Sequence, residues 1–211
     1  SVYGSGLKKK INERTPIKPD SIYGVSKYAG EMFVEQILKN TSTSTVIFRI
    51  FNTYGPGENL NFLKKGMISI YASYIWKKKP IIVKGSLARV RNFQYVEDVV
   101  NILVQSIKNK KLKKNEIINL TSGKKIKISK LIKLILLVNN KNMRYYKIKV
   151  VKGTPGDSFK FDASNKYIKK KFGNYEFISL KNGLRKYFKW INKIPITKNL
   201  KKWHPLLDQI K

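Results

Sequence analysis

Short runs rich in β-branched residues alternate along this chain with longer amphipathic stretches, and that alternation constrains its fold more than any other feature. A period-2 run buries its faces as a strand and a 3.6-period stretch buries one stripe as a helix. Their alternation builds an α/β layer structure around a largely parallel sheet. The pattern predicts strands over 45–51, 80–84, 116–120 and 147–152, and helices over 21–39, 63–77, 96–107, 129–138, 164–172 and 180–191. Ser129 precedes an apolar periodic run as an expected N-cap, and Asp162 and Ser164 are cap candidates for the helix that follows them. Loops are expected over 52–57, 121–125 and 152–157.

With 211 residues and 42% hydrophobic content the chain can bury a substantial core. Its longest apolar stretch, 131–138, is broken by Lys133 and is much too short to span a bilayer, and no charged-then-apolar leader precedes it. A soluble protein without a membrane partner is therefore expected. The chain has no cysteine. That excludes a disulfide framework or a thiolate metal site and fits a reducing compartment, the cytoplasm. His204, the only histidine, stands in the tail without convergent ligands, so no metal site is expected.

The formal net charge of +33 invites a nucleic-acid reading. Only six of the 45 basic residues are arginine: Arg14, Arg49, Arg89, Arg91, Arg144 and Arg185. Surfaces that read bases or clamp phosphates favour the planar arginine fork, whereas these lysines are scattered, with runs at 8–10, 77–79 and 169–171 near expected element ends. A solvated lysine-rich surface with no nucleic-acid partner is expected. A basic nucleic-acid-binding protein is the rival from another class, and it predicts DNA affinity that falls steeply with salt. Either way the charge attracts small anions, a diphosphate included.

Chemistry is signalled first by Tyr23 and Lys27. Four residues apart on a helix, they share a face, and an ammonium beside a phenol favours the phenolate, which makes a general base. The spacing alone does not choose this pair, because Tyr74/Lys78, Tyr145/Lys149 and Tyr167/Lys171 repeat it. Context chooses. The segment Pro19-Asp20-Ser21-Ile22-Tyr23-Gly24-Val25-Ser26-Lys27-Tyr28-Ala29-Gly30-Glu31 resembles the active-site helix of the extended short-chain dehydrogenase/reductases, the nucleotide-sugar epimerases and dehydratases. Further segments resemble that family in the same order. Ser1-Val2-Tyr3-Gly4 is similar to the end of its Ser-Ser-x-x-Val-Tyr-Gly strand, and Arg49-Ile50-Phe51-Asn52-Thr53-Tyr54-Gly55-Pro56 to its Arg-x-x-Asn-x-Tyr-Gly-Pro turn. Arg91-Asn92-Phe93-Gln94-Tyr95-Val96-Glu97-Asp98-Val99 is similar to its Arg-Asp-Phe-x-x-Val-x-Asp-Val segment. Ile118-Asn119-Leu120-Thr121-Ser122-Gly123, Pro155-Gly156-Asp157 and Leu180-Lys181-Asn182-Gly183-Leu184 follow in order, and the likeness runs to about Ile191.

The resemblance implies the C-terminal part of a Rossmann-like parallel sheet, mainly 1–55 and 91–120. With it goes a small mixed α/β substrate-binding lobe, mainly 56–90 and 121–192, and a tail over 193–211. The spaced-glycine strand–helix unit that binds a dinucleotide is not found in these residues, so a fragment lacking that N-terminal half, inactive alone, is expected. The cofactor implied is NAD, and the substrate a nucleotide-diphosphate sugar. Tyr23 would take a proton from a sugar hydroxyl and Lys27 would hold the nicotinamide ribose. Asn52, Arg91 and Asp157 would hold the substrate. Each has a plainer reading: Tyr23 packing at a helix start, Asn52 shaping a turn, and Arg91 pairing with Glu97 or Asp98. Those two carboxylates are themselves explained by the helix dipole. A homodimer through the helix 21–39 is also implied for the full-length protein.

Three departures from the family pattern stand out. The family's catalytic Ser or Thr would precede Ser1, and Ser1 does not inherit the role. Thr154 stands where many relatives place a nucleotide-holding Arg, and Asn92 replaces the usual Asp. The family's 4,6-dehydratases and decarboxylases carry a Glu immediately before Val-Tyr-Gly, where this chain has Ser1. Without that carboxylate a base for C5 is missing, so the resemblance points to a 4-epimerase, with a dehydratase or decarboxylase as the alternative.

Overall fold

The computed structural model describes residues 1–7, 9–63, 66–141, 146–153 and 159–194. Its elements run α1 (Ile22–Leu38), β1 (Val46–Ile50), β2 (Thr53–Tyr54), α2 (Met67–Trp76), β3 (Ile81–Lys84), β4 (Val90–Asn92), β5 (Gln94–Tyr95) and α3 (Val96–Lys108). They continue with β6 (Glu116–Leu120), β7 (Lys125–Lys127), α4 (Ile128–Val138), β8 (Ile148–Val151), α5 (Lys166–Lys171) and α6 (Leu180–Ile191). Strands pair in parallel as β1 with β6, β2 with β5 and β3 with β8, while β4 runs antiparallel to β7. This is the mixed α/β fold with parallel pairs that the alternation predicts, and every predicted long element forms.

The four strands that periodicity does not announce, β2, β4, β5 and β7, are two or three residues long. So short a run cannot alternate visibly, and it becomes a strand only because a partner lies alongside. Helix starts differ for a similar reason. Ser129 lies inside α4 rather than capping it: the Ile128 and Ser129 N–H groups donate to the carbonyls of Arg89 and Leu87 at 2.9 and 3.0 Å. A neighbouring backbone satisfies the orphan donors, so no side-chain cap is needed. α5 starts at Lys166, because the Ser164 N–H donates to Ile11 O at 2.8 Å and holds that segment extended. Where the sequence alone supplies the cap, the boundary falls on the predicted one or within one residue of it: Ser21 accepts from Gly24 N at 3.1 Å and Ser179 from Asn182 N at 3.2 Å.

The largest core is built by α2, β3, α4 and α6 with Tyr54, Phe93 and Tyr95. Tyr54 packs edge-on to Tyr95 and Tyr187, and Tyr187 stacks on Trp190. A second core joins α3, β6 and α5, and a small third one gathers Val2, Tyr3, Ile11, Phe51 and Ala163. Asp98 pins the first turn of α3 to the lead-in of α6: buried, it accepts from the Tyr175 hydroxyl at 3.1 Å and from Ile178 N at 3.1 and 3.2 Å. Lys171 departs from the solvated-lysine expectation. α5 packs on β6, so its ammonium is buried 2.5 Å from the Glu116 carboxylate. Among the described residues no helix is long and apolar enough to cross a membrane.

Candidate active site

A cavity of about 670 Å³ runs along β1. One wall is α1, through Tyr23, Lys27, Glu31 and Val34; the floor is β1 and its continuation to Asn52, and the rim includes Ser1, Val2 and Phe161. Tyr23, Lys27 and Asn52, distant in sequence, thus share one site at the end of a parallel strand, where open α/β sheets place their ligands.

Tyr23 sits in the first turn of α1 with its side chain 63% exposed, and Lys27 Nζ lies 5.5 Å from the centre of its ring. The phenol is not packed into a core, and the ammonium is beside it. Of the rival pairs, Lys78 falls beyond the end of α2 with φ 53°, and Tyr167 and Lys171 are both committed to Glu116. Tyr145 lies outside the described residues.

The start of α1 is fixed by close approach. Gly4, at φ +71°, turns the chain after Val2 and Tyr3, where an added Cβ would meet Lys18 O at 2.0 Å. The turn presses on α1 at Gly24, where a Cβ would fall 2.8 Å from Ser1 O. The same turn is held from below by a polar chain. Tyr3 donates its buried hydroxyl to Asn119 Oδ1 at 2.8 Å and accepts from Arg49 Nη1 at 2.8 Å. Burial pushes the Tyr3 phenol above its ordinary pKa, against the pull of Arg49. Arg49 also forks onto Glu31 of α1, with Nε to Oε1 at 2.9 Å and Nη2 to Oε2 at 2.6 Å. Burial opposes the guanidinium charge, but the Glu31 and Tyr3 contacts more than offset it and raise the Arg49 pKa. Sequence reasoning gave no role to Glu31, Arg49 or Tyr3. The signal was present for Glu31, which continues the four-residue spacing of Tyr23 and Lys27 and so shares their side of the helix.

Asn52 lines the cavity, and its amide donates to Asn92 O at 2.9 Å, which ties the turn after β1 to β4. Beneath it Gln94, buried, donates to the carbonyls of Phe51 and Leu120 at 2.8 and 3.1 Å and staples the ends of β1 and β6. It is a further residue that sequence reasoning missed. Asn92, in place of the usual Asp, accepts from Ala163 N at 2.8 Å, so the acceptor role survives the exchange.

Arg91 is not in the wall of this cavity. It lies buried on β4, donating to Val90 O at 2.8 Å, with its pKa lowered to about 10 by burial and by the neighbouring Arg89 charge. The partners considered for it are engaged elsewhere: Glu97 takes Lys186 at 2.6 Å, and Asp98 takes Tyr175 and Ile178. Asp157 and Thr154 lie outside the described residues.

Comparison with known proteins agrees with this architecture. The family model described as GDP-mannose 4,6 dehydratase matches residues 1–187. The chain is 31% identical over 135 residues to a putative UDP-glucose 4-epimerase of Methanocaldococcus jannaschii, covering 64% of this chain and 43% of that protein. It is 27% identical to the human dTDP-D-glucose 4,6-dehydratase, covering 90% of this chain and 53% of that one. The fold superposes with a TM-score of 0.80 on the UDP-glucuronic acid 4-epimerase of Bacillus cereus in complex with UDP-glucuronic acid and NAD. That match has 24% identity and covers 91% of this chain and 59% of the other. The chain thus spans about half the length of the curated relatives it matches.

Proposed function

This chain belongs to the extended short-chain dehydrogenase/reductase family of nucleotide-sugar epimerases and dehydratases, and from that premise we propose that the full-length protein is an NAD-dependent 4-epimerase of a nucleotide-diphosphate hexose. The observation that supports it is Tyr23 and Lys27 on one wall of the cavity that also holds Ser1 and Asn52. Tyr23 takes the proton of the sugar C4 hydroxyl and later returns it. Lys27 keeps a positive charge beside the phenol and holds the ribose of the cofactor. An exposed phenol and a cation on an open cavity wall suit the nicotinamide end of NAD. When bound, NAD takes a hydride from the sugar carbon and gives it back. Dinucleotide binding is assigned to the part of the relatives' length that this chain does not span.

The substrate-holding role falls to Asn52, Arg91 and Asp157. One N–H of the Asn52 amide goes to Asn92, and the second serves the diphosphate. Arg91, buried on β4 outside the wall of this cavity, is assigned to a phosphate on the family resemblance, for the bidentate geometry that guanidinium suits. Clamping the nucleotide while the keto sugar rotates in the pocket is what would let the hydride return to the opposite face of C4 without release of the sugar. Ser1, on the cavity rim in place of a carboxylate, favours epimerisation over dehydration. The division of labour we assign has Rossmann parts over 1–55 and 91–120 and a substrate lobe over 56–90 and 121–192. The apolar side chains that α1 exposes, Ile22, Phe33 and Ile37 among them, are assigned to the preceding half and to a second subunit.

Incubating the full-length protein with UDP-glucose in D₂O tests this. A 4-epimer without deuterium at C5 is expected, whereas a 4-keto-6-deoxy product, or release of CO₂ when UDP-glucuronate is offered instead, would replace this reading with the dehydratase or decarboxylase one. Tyr23→Phe should cut kcat by about 10²–10⁴-fold while sugar-nucleotide binding stays within threefold (about 0.7 kcal/mol). Near-full activity would remove Tyr23 from the chemistry.

A further inference from the structure

Helix α1 is thinly anchored for an element that carries a proton acceptor. Of its 17 residues only Gly24 is buried, and Ile22, Phe33 and Ile37 are 91%, 66% and 71% exposed. Its middle is tied to the sheet by the Glu31–Arg49 ion pair, whose side chains are 8% (Arg49) and 12% (Glu31) exposed. A guanidinium fork is planar and directional. It therefore fixes an angle as well as a distance, which apolar packing or a single ammonium does not. Glu31 stands one step of four beyond Lys27 and two beyond Tyr23, so its azimuth sets theirs. The same guanidinium spends its remaining arm on the Tyr3 hydroxyl at 2.8 Å and lies 5.0 Å from the centre of that ring. Through Tyr3 it holds the turn at residues 2–4, and the tyrosine is held in its place by Asn119 of β6. One side chain of β1 thus bonds both to the helix that bears Tyr23 and to the turn that meets that helix at Gly24.

We propose that Arg49 and Glu31 are positioning residues, a clamp that sets the rotation of α1 so that Lys27 stays beside Tyr23 and both face the substrate. The role rests on Tyr23 being the proton acceptor. Stability alone does not ask for this pair, since a buried ion pair replaced by apolar side chains of similar volume commonly leaves a protein as stable or more so. What such a replacement loses is the angle.

The test uses the full-length protein with two variants that fail in different ways. Arg49→Lys keeps the charge and loses the fork, and the double variant Arg49→Met, Glu31→Leu removes both charges together and so leaves neither buried alone. In each, kcat for epimerisation should fall about 10–100-fold, as expected for misplacement of about an ångström. KM for the sugar nucleotide should stay within threefold, so that the loss falls on kcat alone. A second reading needs no substrate. In protein labelled with ¹³C at tyrosine Cζ, the Tyr23 signal, assigned by its loss in Tyr23→Phe, should move at constant pH in both variants relative to the parent, because the surroundings of the ring change as α1 turns. An unchanged kcat with an unmoved Tyr23 signal in both variants overturns the clamp. So does a loss of kcat that only tracks a lost folded fraction, measured by melting. If Tyr23→Phe is inactive and the clamp variants behave like the parent, the clamp alone fails. If Tyr23→Phe remains active, the choice of Tyr23 as base fails, and the clamp fails with it.

Discussion

Replacing Gly24 by Ala sets two effects of known size against each other at the start of the proposed active-site helix. Gly24 is the third residue of α1, and intrinsic propensity favours Ala over Gly in a helix interior by about 1 kcal/mol. On propensity alone the variant is more stable. The structure opposes this, because the new methyl would lie 2.8 Å from Ser1 O, 3.1 Å from Pro19 Cβ and 3.2 Å from Ser21 Oγ. The nearest of these is backbone and cannot swing aside. Either α1 retreats by a few tenths of an ångström from the turn at Val2 and Tyr3, or the Ser21 cap opens. Overpacking of this kind costs about 1–3 kcal/mol, and loss of a serine cap costs about 1 kcal/mol more. The steric loss wins, leaving a net destabilisation of roughly 1–3 kcal/mol, read as a fall in Tm of about 2–4 °C per kcal/mol for a domain of this size. Tyr23 is the adjacent residue, so kcat should drop about tenfold or more while substrate KM changes little. Melting and steady-state kinetics on the full-length protein decide it. A raised Tm with kcat within twofold of the parent would show that helix and turn do not meet at Gly24, and the geometry of the cavity mouth would need redrawing.

Asp98→Ala strips the acceptor from Ile178 N and the Tyr175 hydroxyl and leaves a partly buried N–H unmet. A loss of about 2–4 kcal/mol by denaturant titration is expected, and a loss below 0.5 kcal/mol would mean that water or another group takes its place. Glu116→Gln probes the pair with Lys171. Burial works to raise the Glu116 pKa, but the bonds from Lys171 and Tyr167 prevail and hold it below its usual 4.5. A depressed carboxylate stabilises above its ordinary pKa and loses that contribution as pH falls through the folded one. Lys171, raised from 10.5 chiefly by Glu116, loses its share only as pH rises beyond that range. The stability gap between parent and Glu116→Gln should therefore be widest near neutrality and narrow on acidification below 4.5. A gap that is constant or grows from pH 7 to pH 3.5 refutes the pairing as the source of stability.

The long elements were legible because burial along a helix or strand is a local, periodic property. α6 and β6 fall on the boundaries that periodicity predicts, and α1 falls within one residue of them. The shared face of Tyr23 and Lys27 follows from the helix repeat for the same reason. The choice of this pair among four needed the surrounding motif, since spacing reports a face but not what the face looks onto. The apolar runs equally determined that α2, α4 and α6 would bury their stripes.

Tertiary structure decided whatever depends on a partner far along the chain. Tyr3 and Asn119 are 116 positions apart and Arg49 and Tyr3 are 46 apart, and no periodicity links them, so the clamp on α1 is invisible until the chain has folded. The same holds for the start of α4, set by carbonyls of Leu87 and Arg89 rather than by Ser129, and for the burial of Lys171 in a chain whose lysines read as surface. A side chain's chemistry is written in its residue type. Its hydrogen-bond partner is set by which backbone happens to pass within 3 Å, and only the packed chain decides that.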